Sequence, residues 1–322
     1  MRRALTGIQP SGVPHIGNLK GMIEPALALQ ATHEPYYFIA SYHALTTLKD
    51  PKLLAEYQTE AAMSFLAFGL DPNKTALFLQ QDVPEVTELS WILSCFTNMG
   101  LLERAHAYKA AKDAGKEVNL GTVTYPVLMA ADILIYDSHD VPVGKDQKQH
   151  LEMCRDMAIA FNHRYGEVFV IPQPLIKAEV ATVPGVDGRK MSKSYGNTLP
   201  LFLPPKKLRK LIMKIKTDST PVEEPKDPDT CNVFSLYKLF ATPAQQADLA
   251  GRYRAGGMGY GNAKQDLFEA MDEFLAEPRL RYAELQDDPA EVDRVLAAGA
   301  EKARGVARSV MGRVRSAIGL AR

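Results

Sequence analysis

Through roughly the first 180 residues, short runs of apolar, β-branched or aromatic side chains alternate with stretches whose apolar positions recur at i, i+3 and i+4. The runs ALTGI from 4, YYFIASYHAL from 36, ALFLQQ from 76, VPVG from 141 and VFVI from 168 are expected strands. The stretches 51–70, 85–98, 125–137 and 147–163 are expected helices. This alternation requires crossover connections, which build a mostly parallel sheet covered on both faces, the α/β class. Such a sheet takes its ligand beyond the carboxyl ends of its strands.

From about residue 201 the pattern becomes helical with no convincing strand, interrupted by STPVEEPKDPDT at 219–230. Three regions are expected: an α/β domain over 1–200, a smaller all-α domain over 201–290, and a C-terminal helix over 291–322 packing back on the first. That last helix is Ala-rich and carries Arg304, Arg308 and Arg315 near helical spacing. The Gly-rich AGGMGYGNAK at 255–264 follows no strand and is expected as an interhelical loop rather than a phosphate cradle.

Composition narrows the partners. In 322 residues, 38 Lys plus Arg balance 38 Asp plus Glu, so a nucleic acid would meet local basic patches and not a global field. One such patch is Lys206, Lys207, Arg209, Lys210, Lys214 and Lys216, readable as a solvated helix face or as a contact for an RNA backbone. Cys95, Cys154 and Cys231 lie far apart, which argues against both a disulfide framework and a thiolate metal site. With no apolar run long enough for a signal peptide or a membrane span, a cytoplasmic location is expected.

Two segments carry chemistry. GIQPSGVPHIGN at 7–18 follows the first strand and precedes a helical stretch; Gly7, Gly12 and Gly17 let backbone or ligand approach closely, and a helix start favours an anion. His15 and Asn18 stand there as donors to phosphate oxygens. GRKMSKSYGN at 188–197 is a cationic loop between glycines, in which Lys190 and Lys193 can follow the charge that develops on a departing pyrophosphate. A third feature is Asp132 in TYPVLMAADILIYD: a helix places it on one face with Tyr125, Met129 and Tyr136, among apolar neighbours where an unpaired carboxylate would be costly. Its donor is either a structural group, such as a backbone N–H or an arginine, or a ligand.

HIGN at 15–18 and KMSKS at 190–194, in that order, resemble the paired signatures of class I aminoacyl-tRNA synthetases. GIQPSG, TYPVLMAADIL, VPVGKDQKQH, RYGEVF and AEKARGVA extend the resemblance over most of the chain to bacterial tryptophanyl-tRNA synthetases. The resemblance implies a Rossmann-like catalytic domain, a helical domain for the tRNA anticodon and a homodimer. It also implies an enzyme that activates L-tryptophan with ATP and transfers it to tRNA(Trp). Mg²⁺ would accompany the ATP phosphates, with no protein metal site and no membrane partner.

On this resemblance His15, Asn18, Lys190 and Lys193 are the catalytic residues. ATP is expected at Gln9, Pro10, Ser11, Gly17 and Asn18, at Gly144, Lys145, Asp146 and Val183, and along Lys190, Met191, Ser192, Lys193 and Ser194. Tryptophan is expected at Gly7, His43, Tyr125, Met129, Asp132 and Gln147, with Asp132 accepting the indole N–H. Lys109 and Lys112 are expected on a loop near the triphosphate or simply solvated. The chain departs from the family at Ser41 and Lys145, where acidic residues are frequent, and at Tyr195, where Asp is frequent. Two other readings remain open here: an adenylyl or nucleotidyl transferase of the same fold group, and a non-catalytic RNA-binding paralogue.

Overall fold

The computed structural model describes residues 1–105, 108, 118–144, 147–175 and 182–321. Five strands, β1 (Arg3–Ile8), β2 (Glu34–Ile39), β3 (Ala76–Leu79), β4 (Asp140–Pro142) and β5 (Gln173–Leu175), form one sheet of order β3-β2-β1-β4-β5. Every pairing is parallel. Side chains alternate between two apolar cores: Tyr36 and Phe38 of β2 enter one, Tyr37 and Ile39 the other. A sheet buried on both faces is what near-continuous apolar strands produce.

Two expected strands are corrected. The run at 168–171 is not a strand, because Asn162 captures its backbone: the amides of Val168 and Phe169 donate to Asn162 Oδ1 at 3.1 and 2.9 Å, and the Phe169 carbonyl accepts from Asn162 Nδ2 at 2.8 Å. The fifth strand forms just beyond, at Gln173–Leu175. The run from 36 stops at Ile39, and Ser41–Ala44 turns into a short helix that brings His43 to the strand's carboxyl end.

The helices Pro51–Ala67, Glu85–Phe96, Leu120–Leu134 and Lys148–Tyr165 occupy the expected stretches. Leu120–Leu134 starts ahead of its apolar window because Asn119 caps it, its Oδ1 accepting from the Thr122 amide at 2.9 Å. After HIGN the chain coils as Ile16–Asn18, then a π-helical turn Leu19–Ile23, then Glu24–Ala28. Pro25 lies just past that wide turn; having no N–H, it cannot continue a regular ladder to Gly21, and the backbone widens ahead of it.

Beyond Leu175 the described residues contain no strand of the sheet, and from 205 onward the regular elements are the helices Pro205–Ile212, Asn232–Tyr237, Pro243–Ala255, Tyr260–Asp287 and Pro289–Ala317. Gly256 and Gly257, both at positive φ, link two of them, so the Gly-rich segment is an interhelical connection. Pro289–Ala317 lies along β3, where a Cβ on Gly299 would stand 2.0 Å from the Leu77 carbonyl oxygen. Arg315 Nε pairs with Glu88 at 2.8 Å and Arg308 with Glu85 at 3.4 Å, fastening this helix to Glu85–Phe96. Among the described residues no helix is long and apolar enough to cross a membrane.

Candidate active site

A cavity of about 990 Å³ opens at the carboxyl ends of the strands. Gly7 at the end of β1, Ala40 and His43 after β2, Val143 and Gly144 after β4, and Leu175 at the end of β5 line its floor. Gly7 carries no side chain for a steric reason: a Cβ there would meet the Phe38 ring at 2.5 Å.

The two signature segments are stitched together at the mouth. The Ile16 amide donates to the Leu199 carbonyl at 2.9 Å, and that of Leu201 to Pro14 at 3.2 Å. The Gly17 amide reaches Met191 Sδ at 3.3 Å. Lys193 Nζ donates to the Gly12 carbonyl at 2.7 Å. Burial, with the nearby Lys193 charge, lowers the pKa of His15 to about 4. The ring is therefore neutral at pH 7, and its buried Nδ1 has no hydrogen-bond partner among the described residues. Burial also lowers the Lys193 ammonium to about 8. A cation with no carboxylate partner among the described residues, beside a buried imidazole nitrogen, is a site matched to an incoming anion.

The KMSKS segment is one arm of a hairpin. Val183 and Met191 pair through the Met191 amide at 2.8 Å, Pro184 and Lys190 form a bridge, and Gly188 turns at φ +88. Asn197, 2% exposed, holds this arm from inside. Its Oδ1 accepts from the Ser192 amide at 2.8 Å, and its Nδ2 donates to Asp187 at 2.7 Å and to the Lys190 carbonyl at 3.1 Å. The Asn197 bond, ahead of the Arg189 contacts, brings the half-buried Asp187 carboxyl down to about 2. Arg189 pairs with Asp187 at 2.6 Å and lies 4.4 Å from the Tyr195 ring centroid, so this third cation braces the turn. Gly185 is glycine because a Cβ would fall 2.3 Å from Asn197 Nδ2.

At the opposite end of the cavity stands Asp132, 1% exposed. Its Oδ2 is 2.8 Å from His43 Nε2, and its Oδ1 accepts from Gln80 Nε2 at 2.7 Å. Burial raises the carboxyl's pKa, while the His43 and Gln80 contacts oppose the rise. The Gln80 amide is fixed in turn, its Oε1 accepting from the Tyr42 backbone at 2.9 Å. Among the described residues the carboxylate's donors are therefore a histidine and a glutamine, neither a backbone N–H nor an arginine, and two oxygens retain lone pairs for a further donor. The Tyr125 ring packs 4.4 Å from His43, and Met129 lines the same apolar wall.

The cavity lining includes Gln9, Ser11, His15, Gly17 and Asn18 from the first segment, with Val183, Lys190, Met191, Ser192 and Lys193 from the second. It also includes Gly7, His43, Tyr125, Met129, Asp132, Gly144 and Gln147. Pro10 and Ser194 do not line it: Pro10 is buried behind the loop, and Ser194 is exposed, its hydroxyl 2.8 Å from that of Ser192. Tyr136 falls past the helix end and stacks on Tyr36 at 5.8 Å, away from the cavity. Lys145, Asp146, Lys109 and Lys112 lie outside the described residues. Sequence reasoning missed Gln80 and Asn197, both buried polar residues. A buried amide is a detectable signal only once the fold shows that it is buried.

The family model described as tRNA synthetases class I (W and Y) matches residues 1–276. A tryptophan–tRNA ligase of Rhodopirellula baltica is 54% identical, covering 99% of both chains. One of Fusobacterium nucleatum is 49% identical, covering 99% of this chain and 98% of its own. The crystal structure of the tryptophanyl-tRNA synthetase of Campylobacter jejuni with ADP and tryptophan superposes with a TM-score of 0.93 at 47% identity, over 99% of this chain and all of that one. The chain belongs to the tryptophanyl-tRNA synthetase family of class I tRNA synthetases.

Proposed function

We infer that the chain is a tryptophan–tRNA ligase, activating L-tryptophan with ATP and transferring the tryptophanyl group to tRNA(Trp). The observation that carries this reading is the union of the two signature segments across one cavity whose far end holds a buried, doubly held carboxylate. The indole N–H is one donor on an otherwise apolar double ring, and it suits Asp132 within the wall of Tyr125 and Met129. A ligand without that donor would bury the carboxylate's remaining lone pairs unfilled and be rejected more strongly than by shape alone.

The tryptophan carboxylate attacks the α-phosphorus in line, pyrophosphate departs, and the acyl group then passes to a ribose hydroxyl of the tRNA. No protein nucleophile is needed; positioning and charge stabilisation do the work. Lys193 exchanges its Gly12 carbonyl for a phosphate oxygen, and Lys190 joins it as charge moves onto the leaving group. His15 and Asn18 hold phosphate oxygens at the other rim. Gln9, Ser11, Gly17, Gly144, Val183, Met191 and Ser192 frame the nucleotide, and Gly7, His43 and Gln147 the amino acid. Mg²⁺ would accompany ATP by way of the nucleotide's own phosphates.

Residues 1–200 serve as the catalytic domain, 201–290 as the tRNA-reading domain and 291–322 as a closing helix. A homodimer accounts for Trp91, Phe96, Met99 and Ile159, which are large apolar residues left exposed. The two buried free thiols and one exposed one suit a reducing cytoplasm. The test is ATP–pyrophosphate exchange with each of the twenty amino acids. Exchange should appear with tryptophan alone; exchange with tyrosine in its place would overturn the substrate, and exchange with none would overturn the activity.

A further inference from the structure

The segment 203–217 contains Lys206, Lys207, Arg209, Lys210, Lys214 and Lys216 and no Asp or Glu, although the whole chain carries equal numbers of basic and acidic residues. Leu208, Ile212 and Ile215 are at most 1% exposed and turn the cations outward. All five lysines are exposed, and none forms an ion pair among the described residues. Arg209 Nε donates to the amide of Gln265 at 2.9 Å and not to a carboxylate.

At its amino end this arrangement costs the helix Pro205–Ile212 stability. Lys206 and Lys207 lie in its first turn, where the macrodipole favours acids and where no acidic residue is present. Lys206 repels Lys210 at i+4, and Lys207 repels Lys210 at i+3. Positive charge retained against local preference points to an anionic partner. Large exposed apolar side chains are absent from 203–217, so the face lacks the anchors that a protein interface or a membrane would use. Its position also bears on the partner: the Lys216 amide donates to the Val186 carbonyl of the KMSKS hairpin at 2.8 Å, and Leu201, just upstream, is bonded to Pro14. A polyanion on this face thus lies beside the mouth of the cavity.

We propose that Lys206, Lys207 and Lys210, extended by Lys214 and Lys216, form a docking surface for the phosphate backbone of tRNA. This rests on the reading of the chain as a tRNA ligase. Each lysine in contact displaces condensed cations, so the surface contributes to the salt dependence of binding.

The test uses the full-length triple variant Lys206→Gln, Lys207→Gln, Lys210→Gln with deacylated tRNA(Trp), measured by filter binding across a salt series, alongside tryptophan-dependent ATP–pyrophosphate exchange without tRNA. Expected are a dissociation constant raised at least tenfold, a log–log salt slope shallower by about 2 to 3, exchange within twofold of wild type and a higher Tm. Unchanged tRNA affinity and slope, with exchange intact, would reduce the face to a solvated one and overturn the proposal. Wild-type chain that binds tRNA but shows no exchange would instead overturn the ligase reading and leave the surface standing. Should the triple variant fold poorly, Lys210→Gln with Lys214→Gln applies the same criteria at the end of the helix.

Discussion

The ammonium of Lys193 donates to the carbonyl of Gly12, 181 residues earlier, at 2.7 Å. That one bond joins the two phosphate-handling segments and parks a cation whose pKa burial has lowered to about 8. In the free enzyme the lysine should therefore lose its proton as pH rises through about 8. The value of kcat/KM for ATP, which reports the free enzyme, should fall along that limb, while the limb in kcat moves to higher pH once phosphates are bound. Lys193→Arg should remove the limb, and Lys193→Ala should slow adenylate formation with tryptophan affinity nearly unchanged; pyrophosphate exchange against pH reads both. The sign for folding is the reverse: between about 8 and the ordinary 10.5 the unfolded chain binds more protons, so stability rises with pH across that window. A Lys193→Met variant should lack the rise.

Gln80 and His43 hold Asp132 as a pair. Gln80→Leu leaves one carboxylate oxygen without its buried donor, a loss of about 1–3 kcal/mol. Exchange kinetics should show KM for tryptophan raised about tenfold or more, with KM for ATP within about twofold. Asp132→Ala should follow the same split more steeply. Equal losses in both constants would mark the trio as structural only.

Asn197→Ala removes three hydrogen bonds from the KMSKS hairpin. With three part-buried hydrogen bonds lost, a stability loss of roughly 3 kcal/mol is expected by urea unfolding. Pyrophosphate exchange should lose kcat while KM for tryptophan holds, since Asp132 lies at the other end of the cavity.

Lys20 follows HIGN by two residues, and its ammonium lies 4.4 Å from the Phe274 ring centroid and 4.7 Å from that of Phe240, bonded to Glu24 at 2.6 Å. It ties the helix behind His15 to the helical region. Lys20→Met keeps the apolar stem and removes the charge. The expected change is about 1 kcal/mol of stability and a lower exchange kcat, both restored by Lys20→Arg.

The sheet was legible because its strands are buried on both faces, so their apolar runs stand out without reference to neighbours. The 168–171 run misled because Asn162, a helical residue, takes over the backbone groups that a ladder would use. Nothing local to either segment announces that exchange. At the site, His15, Lys190 and Lys193 were legible from charge and glycine spacing. Gln80 and Asn197 were not, since an amide acquires meaning only from what it is buried against. Asp132 was visible as an anomaly, a carboxylate among apolar neighbours, but its partners come from segments 89 and 52 residues distant.

The fit of Gly299 against the Leu77 carbonyl has a temporal side. A ribosome delivers β3 long before it delivers the helix that lies along it, so the outer strand of the nascent sheet waits uncovered for more than two hundred residues of synthesis. The growing chain is thus most vulnerable to sticking to its neighbours late in its manufacture, and Gly299→Ala, by barring the final closure, would prolong that exposure into the finished molecule.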